Sequence, residues 1–440
     1  MIIGNLNTHS IKIGKYSFHE FNYILLSVLI AVSMPFSIQV NSYLIILLSL
    51  NWVTEGKWKQ KAKLLLGSKY ALLWLLFFFF HAISIVYSDN KKEAQFELEK
   101  KLSFLVFPLI LSTTTFLSKD TLKLILKYFV VSCFCACIIC LGNAFLNYFK
   151  GDASFFFYHK LGSPLNFHAV YFSMFIGFCI FILINNWFEE HKTLKIYSRI
   201  FLIILTCFFI TFLLLLSSKT IIVGAFLILT LNVASKILKQ KNKWIGISFV
   251  FFSLIVISFI IKKTPYINDR FKEIYKENYT VLLQKQDYRN FHFTGGTIRL
   301  AIWKSVFDVL DEEKAWLFGV GIGDAQTLLT ANYIKKNIYP GDELLGFKGF
   351  THYNAHNQYL QFMITLGLSG FLVFLIILCY SFYIAIKNKE TVFISILVLF
   401  CAFCFTESVL CAHKGVVFFL FFNSLYCTLY NKNKLPVVTP

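Results

Sequence analysis

The residue best placed for acid–base chemistry in this sequence is His356, where a polar segment meets a long apolar run. It lies in Thr351-His-Tyr-Asn-Ala-His-Asn-Gln-Tyr-Leu-Gln361, after the polar stretch 262–355 and before an apolar run that continues to about 386. Near a helix N-terminus the helix dipole disfavours the imidazolium, so a neutral ring can accept a proton near pH 7. His352 is the rival candidate for a general base, and a surface or packing role is the alternative for either histidine.

Two basic residues are candidates for binding an anion. Arg299 follows Gly295-Gly296 at a predicted helix start, where backbone N–H groups and a guanidinium together suit a phosphate. Lys219 lies in Leu216-Ser-Ser-Lys-Thr220, a short link between two apolar runs that holds its ammonium close to the membrane helices. A solvated loop arginine and a lysine that extends to the interface are the alternatives.

An acid and a further histidine lie close to the ends of apolar runs. Glu407 falls in Phe405-Thr-Glu-Ser408, near the outer end of an apolar run, where a carboxylate is costly and suggests a site. A hydrogen bond between helices is the alternative explanation. His168, in Pro164-Leu-Asn-Phe-His-Ala-Val-Tyr171, opens another run from the same side. Polar groups gathered at one membrane face indicate an outward-facing active site rather than a pore.

The elements that position these residues are membrane helices. Hydrophobic residues make up 57% of the chain and charged residues 15%, against about 25% charged in ordinary globular domains. Apolar runs of about 18 residues predict spanning helices. About twelve spans are expected, at 20–35, 38–53, 69–87, 101–117, 123–148, 164–186, 199–216, 219–235, 244–261, 357–386, 391–410 and 415–430. The first run carries no cleavage pattern and is expected to remain as a helix.

Lysines in alternate links set the expected orientation. The links near 57–69, 119–127, 192–199, 236–243 and 387–389 are rich in Lys or Arg, whereas the opposite short links carry little net positive charge. The positive-inside rule then places both termini in the cytoplasm and the polar segment 262–355 outside. The net charge of +19 is spread over these links, which argues against nucleic-acid binding.

Three regions follow from this organisation: a bundle of about nine spans at 1–261, an outer segment at 262–355, and about three spans at 356–440. The outer segment predicts amphipathic helices at 297–310 and from Asp324 to before Pro340. Between them, Gly319-Val-Gly-Ile-Gly323 fits a tight turn better than a nucleotide-binding loop. The cluster Cys133-Phe-Cys-Ala-Cys-Ile-Ile-Cys140 is expected to be buried in the bundle rather than to bind metal.

Several of these motifs together resemble the O-antigen ligase and polymerase family. The resemblance rests on His356-Asn-Gln-Tyr-Leu-Gln361 with Gly367-Leu-Ser-Gly370, and on Arg299-Leu-Ala-Ile-Trp303 with Leu317-Phe-Gly-Val-Gly-Ile-Gly-Asp324. Phe405-Thr-Glu-Ser408 matches a late-helix motif, and Ser218-Lys219 stands where the family has Ser-Arg. The resemblance covers nearly the whole chain, with one large periplasmic loop before the tenth span.

The resemblance implies a metal-independent glycosyltransferase, without a cofactor, in the bacterial inner membrane and with its active site facing the periplasm. Such enzymes transfer a glycan from undecaprenyl diphosphate to lipid A–core, to another repeat unit or to a protein hydroxyl. His356 would deprotonate the acceptor hydroxyl, and Arg299 would bind the diphosphate. Lys219 keeps the charge of the family's second arginine but lacks its planar fork. His352, Asn357, Glu407 and His168 are further residues expected to line the site.

The sequence favours a ligase that uses lipid A–core as its acceptor. A polymerase or a protein O-oligosaccharyltransferase of the same family is the close alternative. A transporter or flippase for a lipid-linked sugar is the alternative from another class, and such proteins commonly show internal repeats and charged residues at mid-membrane. We find no repeat in this sequence, and its polar candidates lie at one edge.

Overall fold

The fold is that of a helical membrane protein, as the sequence predicts. The computed structural model describes residues 12–13, 16–190, 194–216, 248, 285, 287–289, 291–342 and 347–431. Its helices, numbered in chain order over this part, are α1 Phe18–Ser33, α2 Ile38–Glu55, α3 Trp58–Leu66, α4 Lys69–Tyr87, α5 Lys91–Lys100, α6 Leu102–Ser112, α7 Lys119–Tyr148, α8 Tyr158–Gly162, α9 Ala169–Glu190, α10 Ile196–Leu215, α11 Gly295–Glu312, α12 Ala325–Lys335, α13 Gln358–Lys387, α14 Thr391–Cys404 and α15 His413–Asn431. Two antiparallel pairs of two-residue strands accompany them: β1 Lys12–Ile13 with β2 Tyr16–Ser17, and β3 Gly341–Asp342 with β4 Phe347–Lys348.

Five of the described helices are long and apolar enough to cross a membrane: α4, α7, α9, α10 and α13. Helices α1 and α14 are apolar but shorter. The spans expected at 219–235 and 244–261 lie outside the described residues. A polytopic helical membrane protein is therefore confirmed, and the number twelve stays a prediction.

The helices begin where the sequence supplies capping side chains. The hydroxyls of Ser37, Ser68 and Ser118 accept backbone N–H groups in the first turns of α2, α4 and α7. Ser17 and Glu20 form a reciprocal capping box at the start of α1. Each such cap is typically worth about 1 kcal/mol, and it fixes the residue at which a buried helix enters the bundle.

The region predicted as a span at 101–117 differs from that prediction. Its helix, α6, has 11 residues and contains Pro108. At about 1.5 Å per residue it is roughly half the length needed to cross about 30 Å of hydrocarbon. The charged link before it forms α5, capped by Asn90. The apolar run at 101–117 is therefore longer than the helix that it forms.

Aromatic rings fill the centre of the bundle. Trp74 and Phe77 are fully buried on α4 and contact Phe104 of α6, with ring centroids 5.3 and 5.7 Å away. Phe77 also meets Phe362 of α13 edge to face at 4.9 Å. Offset and edge-to-face pairs at these distances are the favoured geometries for aromatic rings, so they fix α4, α6 and α13 as one packed unit.

The described part of the polar segment, residues 262–355, contains two helices where the sequence predicts them. Helix α11 begins at Gly295 after an N-cap at Thr294, and α12 follows an N-cap at Asp324. Their apolar faces form a second buried cluster with the first two turns of α13, including Ile302, Leu329 and Ile364. The described part of the segment is thus packed against the membrane bundle.

The glycine-rich turn after α11 is joined to a break in α13. Gly367 has φ +67° and ψ −165° inside α13, so the helical hydrogen bonds stop there. The N–H groups of Val320 and Gly321 donate to the carbonyls of Ile364 and Thr365, at 2.8 and 3.0 Å. A broken membrane helix is tolerated where other parts of the protein form hydrogen bonds with its free backbone groups. Here the glycine-rich turn supplies the N–H donors that the Ile364 and Thr365 carbonyls lack within the helix.

The residues that follow the break in α13 donate hydrogen bonds back to the segment after α11. The N–H groups of Leu368 and Ser369 donate to the carbonyls of Trp316 and Leu317, at 2.8 and 3.1 Å. A Cβ on Gly367 would lie 2.3 Å from a Leu317 backbone atom. The two glycine-containing motifs of the sequence therefore pair with each other, and the turn interpretation of Gly319–Gly323 is confirmed in this structure.

A second set of hydrogen bonds joins the polar segment to the bundle. The carboxylate of Asp324 accepts the backbone N–H groups of Asp89 and Asn90, at 2.6 and 2.9 Å. These residues connect α4 to α5. The end of the bundle where α4 ends and α13 begins is called the site end below, because the candidate residues gather there.

Candidate active site

Glu407 is the centre of the candidate site. It follows α14 in a turn, rather than lying inside the span as the sequence suggested, and only 6% of its surface is exposed. One carboxylate oxygen, Oε1, accepts from Arg299 Nη2 at 2.8 Å. The other, Oε2, lies 3.0 Å from His356 Nδ1. A single buried carboxylate thus joins the candidate base to the candidate cation.

Arg299 projects from the second turn of α11 towards this carboxylate. Its Nε donates to the Thr406 carbonyl at 3.0 Å, and Nη1 donates to the Gly295 carbonyl at 2.7 Å. With the Glu407 bond, three of the five guanidinium N–H donors are engaged. The side chain keeps 28% of its surface exposed, so the remaining donors can serve an anionic ligand from the open side.

The start of α11 differs from the expectation of free backbone N–H groups. The hydroxyl of Thr294 lies 3.3 and 3.4 Å from the N–H groups of Gly296 and Thr297 and caps them. The Thr297 hydroxyl in turn accepts the Thr294 N–H at 2.8 Å. The helix N-terminus is therefore capped by its own side chains, and the guanidinium is the principal group there that can bind an anion.

His356 occupies a strained turn immediately before α13. Its φ is +42°, in the left-handed region that non-glycine residues seldom adopt, although histidine tolerates it better than most. Its backbone N–H donates to Asn354 Oδ1 at 3.0 Å. Such strain persists where the surroundings hold it, and it is common at functional sites. Here the turn directs the imidazole to Glu407.

The Glu407 bond determines which ring nitrogen of His356 is basic. An ionised carboxylate can only accept a hydrogen bond, so the Nδ1 hydrogen points to Oε2. In the neutral imidazole, Nε2 then carries the lone pair. The ring is 24% exposed and lies 4.7 Å from the Tyr353 ring, centroid to centroid. Nε2 of His356 is thus available as a proton acceptor.

The charges around Glu407 keep it ionised. Burial alone would raise its pKa, but the His356 hydrogen bond and the charges of His356, Arg299 and His168 outweigh burial and lower it below the usual value. The sign of this net shift matters, because only the ionised carboxylate orients the imidazole and neutralises the guanidinium at once.

His168 belongs to the same electrostatic cluster. It immediately precedes α9, and its ring stacks near that of His159, with centroids 4.1 Å apart. Burial lowers its pKa; Glu407 acts in the opposite direction, while the charges of His356 and Arg299 lower it further. His168 therefore responds to the charges of Glu407, His356 and Arg299, although the sequence placed it on a separate helix.

The remaining predicted site residues fall in different places. Asn357 is buried and caps α13 by accepting the N–H groups of Tyr359 and Leu360, at 3.0 and 3.1 Å. His352 is exposed. Lys219 lies outside the described residues. The structure thus brings His356, Arg299, Glu407 and His168 together, and it gives Asn357 a helix-capping position.

Two contributors are not identified by sequence reasoning. The Thr406 carbonyl holds Arg299, and the Tyr353 ring packs against His356. A backbone carbonyl carries no sequence signal. Tyr353 had one, because it is the aromatic residue three positions before the candidate base, but that spacing alone does not predict a ring contact in a turn.

The arrangement can couple proton removal to stabilisation of negative charge. A carboxylate-held imidazole can take a proton through Nε2, and Glu407 stabilises the imidazolium that forms. The adjacent guanidinium can offset charge that develops on a departing oxyanion. Base and cation share one carboxylate, so they are placed relative to each other to within a few ångströms.

Comparison with known proteins finds one family model that is similar to part of the chain. A family model described as O-antigen ligase matches residues 200–375, which include Arg299 and His356. Glu407 and His168 lie outside the matched range. No curated protein matches the chain. The match covers both motifs that carry the sequence resemblance and supports an O-antigen ligase family assignment.

Proposed function

We propose that this protein is an O-antigen ligase-type glycosyltransferase. It moves a glycan from undecaprenyl diphosphate to a hydroxyl of lipid A–core, at the periplasmic side of the inner membrane. The observation that carries the proposal is the bridge formed by Glu407 between His356 Nδ1 and Arg299 Nη2, at 3.0 and 2.8 Å. It provides a base and a cation side by side at the site end of the bundle.

The proposed step balances as a displacement at the anomeric carbon of the donor. His356 Nε2 takes the proton of the acceptor hydroxyl, and the acceptor oxygen forms the new glycosidic bond. The bond between the anomeric carbon and the phosphate oxygen breaks, and the lipid diphosphate leaves with both electrons. Arg299 offsets the charge that grows on that phosphate, with Lys219 as a second proposed cation. No metal ion is required by this scheme.

The proposed orientation rests on the lysine pattern. The site end carries the candidate residues, whereas the lysine-rich links 57–69 and 387–389 adjoin the opposite ends of α4 and α13. Single cysteines placed near 240 and 330, in a background without reactive native thiols, test this with a membrane-impermeant thiol reagent on intact cells. Labelling at 330 alone is expected. Labelling at 240 alone would reverse the orientation and remove the periplasmic reaction.

A gene deletion distinguishes the acceptors. We expect loss of long glycan on lipid A–core with retention of carrier-linked polymer, and restoration by the wild-type gene but not by His356→Ala. A single repeat unit left on the core would indicate the polymerase. Normal lipopolysaccharide with unglycosylated proteins would indicate the protein transferase, and loss of carrier-linked glycan from the periplasm would indicate a flippase.

A purified assay with lipid-linked donor tests the chemistry directly. Arg299→Ala should lose most transfer, and Lys335→Ala, which removes an exposed cation of the polar segment, should retain it. Full activity of Arg299→Ala would remove this arginine from the site. Loss of activity in EDTA with recovery in Mg²⁺ would overturn the proposal that protein cations alone stabilise the leaving diphosphate.

A further inference from the structure

An aromatic groove lies in the polar segment, apart from the Glu407 cluster. Its aromatic lining includes Phe291, Phe293, Tyr339 and Phe350, and its volume is about 540 Å³. Phe293 contacts Phe291 and Phe350, with centroids 5.0 and 5.7 Å apart. Tyr339 lies 6.3 Å from Phe350 and is 41% exposed. The groove is therefore an open cleft whose walls present aromatic rings to solvent.

The rings of this groove continue to the candidate base. Phe350 lies 5.5 Å from Tyr353, and Tyr353 lies 4.7 Å from His356, between ring centroids. Tyr353 is itself 36% exposed. An unbroken series of ring contacts thus leads from Tyr339 through Phe350 and Tyr353 to the imidazole.

The groove is held in shape by backbone bonds. The Phe350 N–H donates to the Tyr339 carbonyl at 2.9 Å, beside the β3–β4 pair, and this bond sets the separation of the two rings. On the other wall, the Tyr288 N–H donates to the Lys336 carbonyl at 2.9 Å. Binding clefts that are formed in advance lose less free energy on ordering.

Polar groups at the rim complement the rings. His292 and Arg289 are exposed there, and Arg289 pairs with Asp287 at 3.0 Å. A sugar ring presents apolar C–H faces that stack on aromatic rings and hydroxyl edges that bond to imidazole, guanidinium and carboxylate groups. A cleft with aromatic walls and such a rim suits a saccharide better than an acyl chain, which would leave the rim unpaired.

We infer that this aromatic groove binds the saccharide part of the acceptor and directs its reacting hydroxyl along Tyr353 to His356. The inference rests on the proposed function. The acceptor is the occupant, rather than the donor glycan, because the ring series ends at the base that would deprotonate the acceptor. The donor diphosphate is assigned to Arg299, which contacts Glu407 from α11.

The test compares Tyr339→Ala with Tyr339→Phe and Trp316→Ala. Tyr339 is remote from His356 in the ring series, so its removal leaves the proposed catalytic groups in place. Tyr339→Phe keeps the ring face. Trp316 is 42% exposed in the same segment, does not line the groove and serves as a matched control. The probe is delipidated core oligosaccharide from the cell's own lipopolysaccharide, titrated calorimetrically into the full-length protein in nanodiscs.

Tyr339→Ala should weaken binding of the core oligosaccharide about tenfold, the loss expected for one aromatic stacking contact. Tyr339→Phe and Trp316→Ala should bind like the wild type. In the transfer assay, Tyr339→Ala should raise KM for the acceptor by a similar factor with little change in kcat.

Unchanged binding and unchanged acceptor KM in Tyr339→Ala would overturn the groove assignment while leaving the transferase proposal intact. A rise confined to donor KM would also overturn it, because the groove would then hold the donor glycan. Conversely, tight Tyr339-dependent binding by a wild-type protein that shows no transfer would support the groove and refute the transferase. Folding of each variant is checked by its thermal unfolding midpoint.

Discussion

Replacing Glu407 with glutamine tests the central contact of the site. The substitution keeps the shape of the side chain but removes its charge. An amide has one acceptor oxygen and one NH₂ donor, so it cannot accept from both Arg299 Nη2 and His356 Nδ1 as Glu407 does at 2.8 and 3.0 Å. If the oxygen stays on the arginine, the NH₂ group faces Nδ1, and the His356 proton moves to Nε2, where the base is needed.

The expected loss in rate is large and the loss in stability is modest. General-base catalysis is worth about 10²–10⁴-fold, and the wrong histidine tautomer in a Ser-His-Asp triad costs about 10⁴-fold. We therefore expect kcat to fall at least about 10²-fold. The free energy of unfolding should fall by about 2 kcal/mol, because one charge-assisted hydrogen bond is lost while the partly exposed arginine regains water.

The assay is single-turnover transfer with purified protein and lipid-linked donor, together with donor binding on the same samples. Glu312→Gln is the matched control, because Glu312 is 51% exposed and pairs with Lys335 away from the cluster. Donor binding should persist in Glu407→Gln, since Arg299 keeps its charge. Turnover of a folded Glu407→Gln at the wild-type rate would refute the view that this carboxylate sets the histidine tautomer.

Three further predictions follow from the same geometry. His356→Ala should lose about 10²–10⁴ in transfer rate with donor binding kept, whereas His352→Ala should be milder, and a dead His352→Ala beside an active His356→Ala would identify the other base. Gly367→Ala should lower the free energy of unfolding by at least about 1–3 kcal/mol, because φ at this position is +67° and a Cβ would lie 2.3 Å from the Leu317 backbone. It should therefore unfold at a lower temperature than the wild type. Gly142→Ala, whose Cβ would meet no atom within 4 Å, should unfold like the wild type. Burial lowers the pKa of His168, so stability should fall as pH drops below about 6.5, by at most about 1.4 kcal/mol per pH unit, and His168→Gln should flatten this slope in thermal unfolding.

Much of the helical framework could be predicted from the sequence. Apolar runs predicted α4, α7 and α13 to within about four residues, because hydrophobic length is a local property. The prediction at 101–117 was wrong in length, because the apolar run does not show that α6 ends at Ser112. The spans predicted at 219–235 and 244–261 stay predictions.

The site was only partly accessible to sequence reasoning. His356, Arg299, Glu407 and His168 could each be named, because a polar residue at the edge of an apolar run stands out. Their relation could not be derived, since the bond from Arg299 to Glu407 joins residues 108 positions apart. The sequence predicted Glu407 only as a further residue lining the site. In the structure its two carboxylate oxygens contact Arg299 and His356 and so join them.

The position of Arg299 relative to His356 also depends on contacts that touch neither residue. The polar segment is fixed to the bundle by the backbone bonds around Gly367 and by Asp324 on the α4–α5 turn. Helix α11 carries Arg299 on one side of this attachment, and α13 begins immediately after His356 on the other. A shift of about 1 Å between them would break the Glu407 bridge, and misplacement of that size can cost about 10²-fold in rate. Variants at the glycine turn should therefore reduce kcat in proportion to the displacement of α11, although the turn supplies none of the proposed catalytic side chains.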